Sequence, residues 1–469
     1  MQKTSLFLCF LFACAYTTPA QAQKDKLERL MNYYTTHDNF NGTVLIVKKG
    51  AVLMAKGYGY HDAYNKLKND ENTIFQLGSN TSQFTAEVIL QLDSKGKLSL
   101  EDKVARYLPD YPDGNKISLK NLLTHTSGIY NYTSDIRSVS QPMSKEQVVA
   151  IFKNKPLAFE PGTRYAYSNS DYFLLGMIIE KITKKKYEHE VRESILNVCG
   201  MSRSGFDFAH LRNADKATGY NYAGGNKYSD VAITDSTISY ASGALYSTAG
   251  DLLKWHRALA RHRLLPKDWQ DIAYTPFKNQ YALGWSIDNM FNKRFYGHAG
   301  QITGFSNYEI RQEDDDLFVV LLENCTRPGA TDEEIARNIV QCLYNKNYQL
   351  PGERREPAIN KEPPINNDQP ENSSQPAKKD NPLKITQLKK YVGTFEITPA
   401  FTLTFSINGN ELVGASPNQA LIKMIPESET LFRIAGMNDE IEFVRERNGK
   451  FDRIVLHQKG ELIPGERSR

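Results

Sequence analysis

The sequence is short of the features that staple a small secreted domain or anchor a chain in a bilayer. It holds five cysteines in 469 residues. Two of them fall in the N-terminal segment discussed below, leaving Cys199, Cys325 and Cys342. An odd number cannot all pair internally, which excludes a disulfide framework. Cys325 ends an apolar, strand-like run, so a buried reduced thiol is expected there. Past the N-terminal segment no apolar run reaches the ~18 residues needed to span a bilayer. Neither sign of charge dominates: 58 Lys and Arg face 54 Asp and Glu, for a net charge of +4 spread along the chain. Nucleic-acid binding wants a concentrated basic face, and none is present. None of the nine histidines stands in H-x-H or H-E-x-x-H, so no zinc site and no other cofactor is expected.

What is present describes a soluble globular protein: 40% hydrophobic, 11% aromatic and 24% charged residues. The length favours two or three units and admits one large core of roughly 300 residues. Residues 1–22 read as a signal peptide. Lys3 supplies the charged start, Leu6 to Ala15 the apolar stretch, and Ala20-Gln21-Ala22 the cleavage site. Leu11-Phe12-Ala13-Cys14 makes a poorer lipoprotein signal, because Phe12 is bulky. Either reading expects an exported protein, periplasmic or extracellular.

From Pro351 to Lys384 the chain carries seven prolines and no aromatic residue. Such a segment buries too little apolar surface to offset its ordering entropy, which predicts a disordered linker over 351–384. It separates a large domain, 23–350, from a small one, 385–469. In the large domain Thr43 to Val47 and Val52 to Tyr58 are β-rich runs around Lys49-Gly50, a hairpin. A helix is predicted from about Asn80, with Phe84, Val88, Ile89 and Leu92 at helical spacing, and another over 170–184. Leu283 to Ile287, Phe305 to Ile310 and Leu317 to Leu322 read as strands, and Thr331-x-x-Glu334 as a capping box opening a helix. Strands at both ends with helices between predict an α/β fold: one antiparallel sheet flanked by helices. The small domain alternates apolar and polar residues, with turns expected at Asn408-Gly409 and Asn448-Gly449, and suits a small all-β barrel.

Three segments could carry chemistry. Ser79 sits where a strand-like run enters a helix, and unpaired N–H groups there favour negative charge. Its plainer reading is a helix N-cap. Tyr167-Ser168-Asn169 places a phenol two residues before an amide at a helix start. The phenol can carry a proton if cations lower its pKa, and the amide can hold a carbonyl. The plainer reading is an aromatic packed on the next helix with Asn as its cap. Gly297-His298-Ala299-Gly300-Gln301 lies between strand runs, where small residues let a ligand backbone approach. His298 alone would pass for a satisfied structural histidine.

Taken together, these segments resemble the serine β-lactamase and penicillin-binding-protein superfamily, in its class C and esterase-like branch. That family carries S-x-x-K, then Y-x-N, then K-T-G or H-x-G, in this chain order. The connecting text is similar as well, including NLLTHTSGI, FEPGTRYAYSNSDYFLLGMIIEKIT and GHAGQITGF. The resemblance covers about 24–350, and 391–460 resembles the β-barrel domain often appended to such hydrolases. It implies Ser79 as nucleophile, Tyr167 as proton carrier and His298 on the strand flanking the site. It implies Asn169, Gly300 and Gln301 as substrate-binding positions, with the backbone N–H groups of Ser79 and Gln301 as the oxyanion hole. No metal is implied.

One position departs from the pattern. Where the family has the lysine of S-x-x-K, this chain has Ser82. Three residues put it one helical turn from Ser79 on the same face, where an amine would touch the nucleophile and tune Tyr167. A hydroxyl does neither near neutral pH, and Lys95 and Lys97 lie several turns away. Three functions stay open. One is an exported serine hydrolase, weakened at Ser82, acting on an ester, amide or D-amino-acid peptide. Another is a catalytically dead relative that binds a cell-wall peptide or acyl ligand. The last is an inert scaffold whose β domain docks a partner. A small-molecule or peptide ligand is expected in the first two cases. Oligomeric state is not legible.

Overall fold

A computed structural model describes residues 19–224, 227–351, 385–398, 401–408, 411–415, 422–434, 440–445, 451–458 and 461–467. The chain divides into two compact units between Ile359 and Asn360. Most of the predicted linker, 352–384, lies outside the described residues, as does most of the predicted signal peptide.

The first unit is built on a six-stranded antiparallel sheet. Its strands are β1 (Gly42–Lys48), β2 (Ala51–Tyr58), β3 (Ser286–Met290), β4 (Lys293–Ile302), β5 (Phe305–Gln312) and β6 (Leu317–Glu323). They stand in the order β2-β1-β6-β5-β4-β3, so the two ends of the unit meet where β1 pairs with β6. The β1–β2 turn needs positive φ at both central residues, and Lys49 (52°) and Gly50 (75°) supply it. Successive residues of a strand face opposite sides, and here both sides are covered. Leu45, Val47, Phe318, Val320 and Leu322 join one core. Val44, Ile46, Val319 and Leu321 join the other.

The longest helices among the described residues position the rest: α1 (Pro19–His37), α2 (Thr81–Ser94), α3 (Asn169–Thr183), α4 (Ala249–Ala260) and α5 (Asp332–Tyr344). The helical spacing read from the sequence holds: Phe84, Val88 and Ile89 are fully buried on α2, Leu174 and Ile178 on α3. They share the first core with Trp255 of α4. Leu27, Leu30 and Met31 of α1 and Ile335, Ile339 and Leu343 of α5 fill the second. Thr331 and Glu334 form the predicted capping box of α5, each satisfying the other's backbone N–H. Among the described residues no helix is long and apolar enough to cross a membrane.

One strand is displaced from its expected place. The run predicted from Leu283 begins only at Ser286, because Gly284 turns the chain at φ 79°. A Cβ at Gly284 would stand 2.9 Å from that of Ala86 and 3.1 Å from the Ser82 carbonyl oxygen. The turn therefore presses directly on the first two turns of α2.

The second unit is a closed barrel of eight antiparallel strands, from Gly393–Thr398 to Glu461–Arg467. Pairing of Phe395 with Arg467 closes it. Tyr391, Phe395, Phe405, Phe432, Phe443 and Phe451 fill its interior. Asn408 pairs with Glu411, and the turn predicted at Asn408-Gly409 runs into residues outside the described ones. The turn predicted at Asn448-Gly449 lies outside the described residues.

Candidate active site

Ser79 lies in a 3-10 turn, Gly78–Asn80, between the short strand Phe75–Gln76 and α2. It is half-buried, and no side chain caps either helix start, so the N-cap reading of Ser79 fails. The turn is clamped against the sheet. The Asn307 amide donates to the Gln76 carbonyl at 2.8 Å, and the Thr81 hydroxyl donates to the Gly78 carbonyl at 2.8 Å. Gly78 adopts φ 52°, and a Cβ there would stand 2.9 Å from the backbone nitrogen of Gln301. A Cβ on Gly300 would meet the Leu77 carbonyl oxygen at 2.0 Å. Both glycines exist to let two backbones touch, and that contact sets the turn bearing Ser79 beside the backbone of Gln301. The Gln301 side chain is exposed. Gly300→Ala is expected to destabilise the first unit by about 1–3 kcal/mol through overpacking, read as a drop in melting temperature. An unchanged melt would show that the clamp is looser than drawn.

Ser82 is fully buried on the first turn of α2, and its Oγ has no hydrogen-bond partner. Tyr167 precedes α3. Its ring is part-exposed, while its hydroxyl is shut off from solvent and likewise makes no hydrogen bond. Burial raises the phenol's pKa above its ordinary value, opposed by the Ser79 and Ser82 hydroxyls that lie near it. The sequence expectation required cations to lower that pKa, and no cation acts on the phenol. With Ser82 in place of an amine, burial prevails.

Asn169 is the first residue of α3, and the N-cap is Ser168, not Asn169. Its backbone N–H donates to Asn131 Oδ1 at 3.1 Å, and its amide reaches Thr133 Oγ1 at 3.5 Å. His298 sits on β4, 3% exposed, its ring centroid 6.3 Å from that of Tyr167. His298 Nδ1 lies 2.6 Å from the Ala299 carbonyl, which can only accept. The proton is therefore on Nδ1, and Nε2 accepts from the Tyr281 hydroxyl at 2.9 Å. Burial lowers the His298 pKa to about 4, so the ring is neutral at physiological pH.

Sequence reasoning missed the layer behind these residues. His125 is fully buried, with its ring centroid 4.2 Å from that of Tyr167 and 4.9 Å from that of Tyr281. Its Nδ1 lies 2.9 Å from Asp171 Oδ2, and Asp171 Oδ1 accepts from the Ser127 hydroxyl at 2.5 Å. His125 belongs to the quoted segment NLLTHTSGI and Asp171 to the α3 segment, so both were in view. Nothing in their spacing, however, links residues 46 apart. The loop that carries His125 runs along the Tyr167 segment, with Ala166 N–H donating to the His125 carbonyl at 2.9 Å.

A turn-borne serine at a helix start thus lies near a tyrosine whose hydroxyl is buried, and that tyrosine near a histidine on a strand of the antiparallel sheet. The beta-lactamase family model matches residues 27–343. The chain belongs to that family, the beta-lactamase-fold serine hydrolases. PbpX of Bacillus subtilis (strain 168) is 30% identical over 301 residues, covering 64% of this chain and 74% of PbpX. A penicillin-binding protein of the same strain is 25% identical over 455 residues, covering 90% of this chain and 94% of its own length. Among solved structures, the octameric penicillin-binding protein homologue from Pyrococcus abyssi matches with a TM-score of 0.64 at 24% identity. That match covers 94% of this chain and 99% of the homologue.

Proposed function

We propose that the protein is an exported serine hydrolase that forms an acyl-enzyme on Ser79. Its substrate is an ester, amide or D-amino-acid peptide, and its turnover is weakened by Ser82. The observation that carries this reading is the convergence of the partly open Ser79 with the buried Tyr167 hydroxyl, next to the Gly300–Gln301 backbone. In this reading Ser79 Oγ adds to the substrate carbonyl while its proton passes to the phenolate form of Tyr167. The backbone N–H groups of Ser79 and Gln301 hold the oxyanion, and Asn169 orients the substrate amide. His298 keeps Tyr281 in place along the site wall. Labelling by a fluorophosphonate probe tests this: wild type is expected to label and Ser79→Ala to stay unlabelled. Equal labelling of both would sink the assignment.

A second reading, a non-catalytic relative that binds a cell-wall peptide or acyl ligand, draws on the Ser82 and Tyr167 oxygens. Both are buried without partners, and neither is matched by a general base. Absence of labelling together with saturable binding of a cell-wall peptide would favour it.

The sequence supports export and a modular layout. A cut after Ala22 would remove only the first turn of α1, and the buried residues described on that helix begin at Leu27. Protein recovered from the native host is expected to start at Gln23 by N-terminal sequencing, and an intact Met1 would contradict export by this route. Trypsin is expected to cut first within 351–384 and leave two folded pieces, 23–350 and 385–469. Precipitation of the large piece once cut would contradict the layout.

A further inference from the structure

His125 is held in a way that packing alone does not explain. It adopts φ 52°, a left-handed backbone disfavoured for a residue with a Cβ. Its Nδ1 meets two groups: the Ser168 backbone N–H at 3.3 Å and Asp171 Oδ2 at 2.9 Å. A backbone N–H can only donate, so Nδ1 is the bare, accepting nitrogen. Asp171 must then supply the second hydrogen from its carboxylic-acid form. Burial acts in the same direction, holding Asp171 well above the usual carboxylate range and His125 well below the usual imidazole value, the latter helped by His298.

The remaining hydrogens run one way. Ile129 N–H donates to Ser127 Oγ at 3.0 Å, and Ser127 Oγ–H donates to Asp171 Oδ1. Asp171 Oδ2–H donates to His125 Nδ1, which leaves the ring proton on Nε2. That Nε2 is buried with no hydrogen-bond partner, a state a folded protein seldom keeps without use. Among the tyrosines around the ring, Tyr172 is committed to the Leu123 carbonyl at 2.9 Å and Tyr281 to His298 at 2.9 Å. Tyr165 is farther, at 6.2 Å between centroids. Tyr167 is the nearest of them, and its buried hydroxyl has only the Ser79 and Ser82 hydroxyls beside it.

We propose that the Nε2–H of His125, oriented by Asp171, is the donor that stabilises the ionised oxygen of Tyr167, at the place where the family's motif supplies an ammonium. The inference rests on Tyr167 being the proton carrier. His125 is then a positioning residue, acting through Tyr167. The Tyr167 proton first passes to solvent by way of the adjoining, half-buried Ser79 hydroxyl, and the phenolate then accepts the Ser79 proton as the Oγ–carbon bond forms and the carbonyl π pair moves onto oxygen. The same proton goes from Tyr167 to the departing nitrogen or oxygen as its bond to carbon breaks. His125 keeps its own proton throughout. The two side chains make no hydrogen bond in the resting structure. Charge on the phenolate draws the donor in, as catalytic contacts commonly tighten only on the reaction path.

The test uses the full chain with difluorotyrosine at position 167, whose greater acidity brings its ionisation into a range where the protein stays folded. Fluorine NMR then reads the midpoint of this one phenol, whether or not the protein turns over substrate. His125→Gly suits the left-handed backbone and opens a ring-sized space. The midpoint is expected to rise by about one pH unit or more, a tenfold change in acidity. Added imidazole should restore it, while N-methylimidazole, which fills the space but carries no N–H, should not. Asp171→Asn keeps a donor to Nδ1 and should hold the wild-type midpoint, whereas Asp171→Leu frees the tautomer and should raise it. An unmoved midpoint in His125→Gly, or equal rescue by both imidazoles, overturns the proposal. Should His125→Gly fail to fold, equal midpoints in the two Asp171 variants overturn it instead. Fluorophosphonate labelling of Ser79, run alongside, decides the hydrolase reading separately.

Discussion

Ser82→Lys is expected to raise Ser79-dependent hydrolysis of activated esters by at least ~10-fold, a cautious figure beside the ~10² to 10⁴-fold usual for a general base. Ser82 is fully buried one turn along α2 from Ser79, and its Oγ is idle beside the Tyr167 hydroxyl. An ammonium there would attract the phenolate and oppose the burial that now raises Tyr167. The change also places a long cationic side chain in a closed site, next to the tight turn at Gly284, and breaking solvation without full pairing is destabilising. The assay is therefore read beside a melting curve. A variant that stays folded and gains nothing would show that the site has drifted beyond repair at one residue. A fast wild type would show that Ser82 is no lesion.

The second large effect is on stability. Burial raises the carboxyl of Glu87 on α2 to about 7. It also raises that of Glu309 on β5 to about 7, against the opposing pull of Gln83 and Arg311. Both values exceed the ordinary 4.5. The folded state thus holds protons that the unfolded chain has released. Their stabilising contribution is complete below pH 4.5 and is lost as pH rises to about 7. At roughly 1.4 kcal/mol per pKa unit, the loss is about 3 kcal/mol for each carboxyl. His125, His256 and His298, whose pKa values burial lowers, act in the opposite sense below their ordinary value. The clean comparison is therefore between variants at one pH. Glu87→Gln with Glu309→Gln should melt with wild type at pH 5 and several degrees above it at pH 8. Parallel melting curves across that range would mean that these carboxyls are ionised in the fold.

Much of this architecture was legible in the sequence because it rests on periodicity. Short β-rich apolar runs in β1 and β6, helical spacing in α2 and α3, and the Thr331–Glu334 box each specify an element locally. The displaced start of β3 was not legible, since Gly284 acts through contact with Ala86, far away in the sequence. Ser79, Tyr167, Asn169 and His298 were found as an ordered set, and Ser82 was found as the departure from it. The His125–Asp171 layer escaped. Its significance depends on a left-handed residue, a tautomer and a buried nitrogen without a partner, none of which has a sequence pattern. The physical reason for a raised Tyr167 was equally hidden, because burial of a hydroxyl is a property of the assembled site.

The most direct measurement is the mass of the protein quenched during reaction with an activated ester, followed by peptide mapping. The account predicts an added acyl group on the peptide containing Ser79, absent from Ser79→Ala and more abundant in folded Ser82→Lys. An acyl group that persists in Ser79→Ala, or none in any variant at any time of quenching, would contradict it.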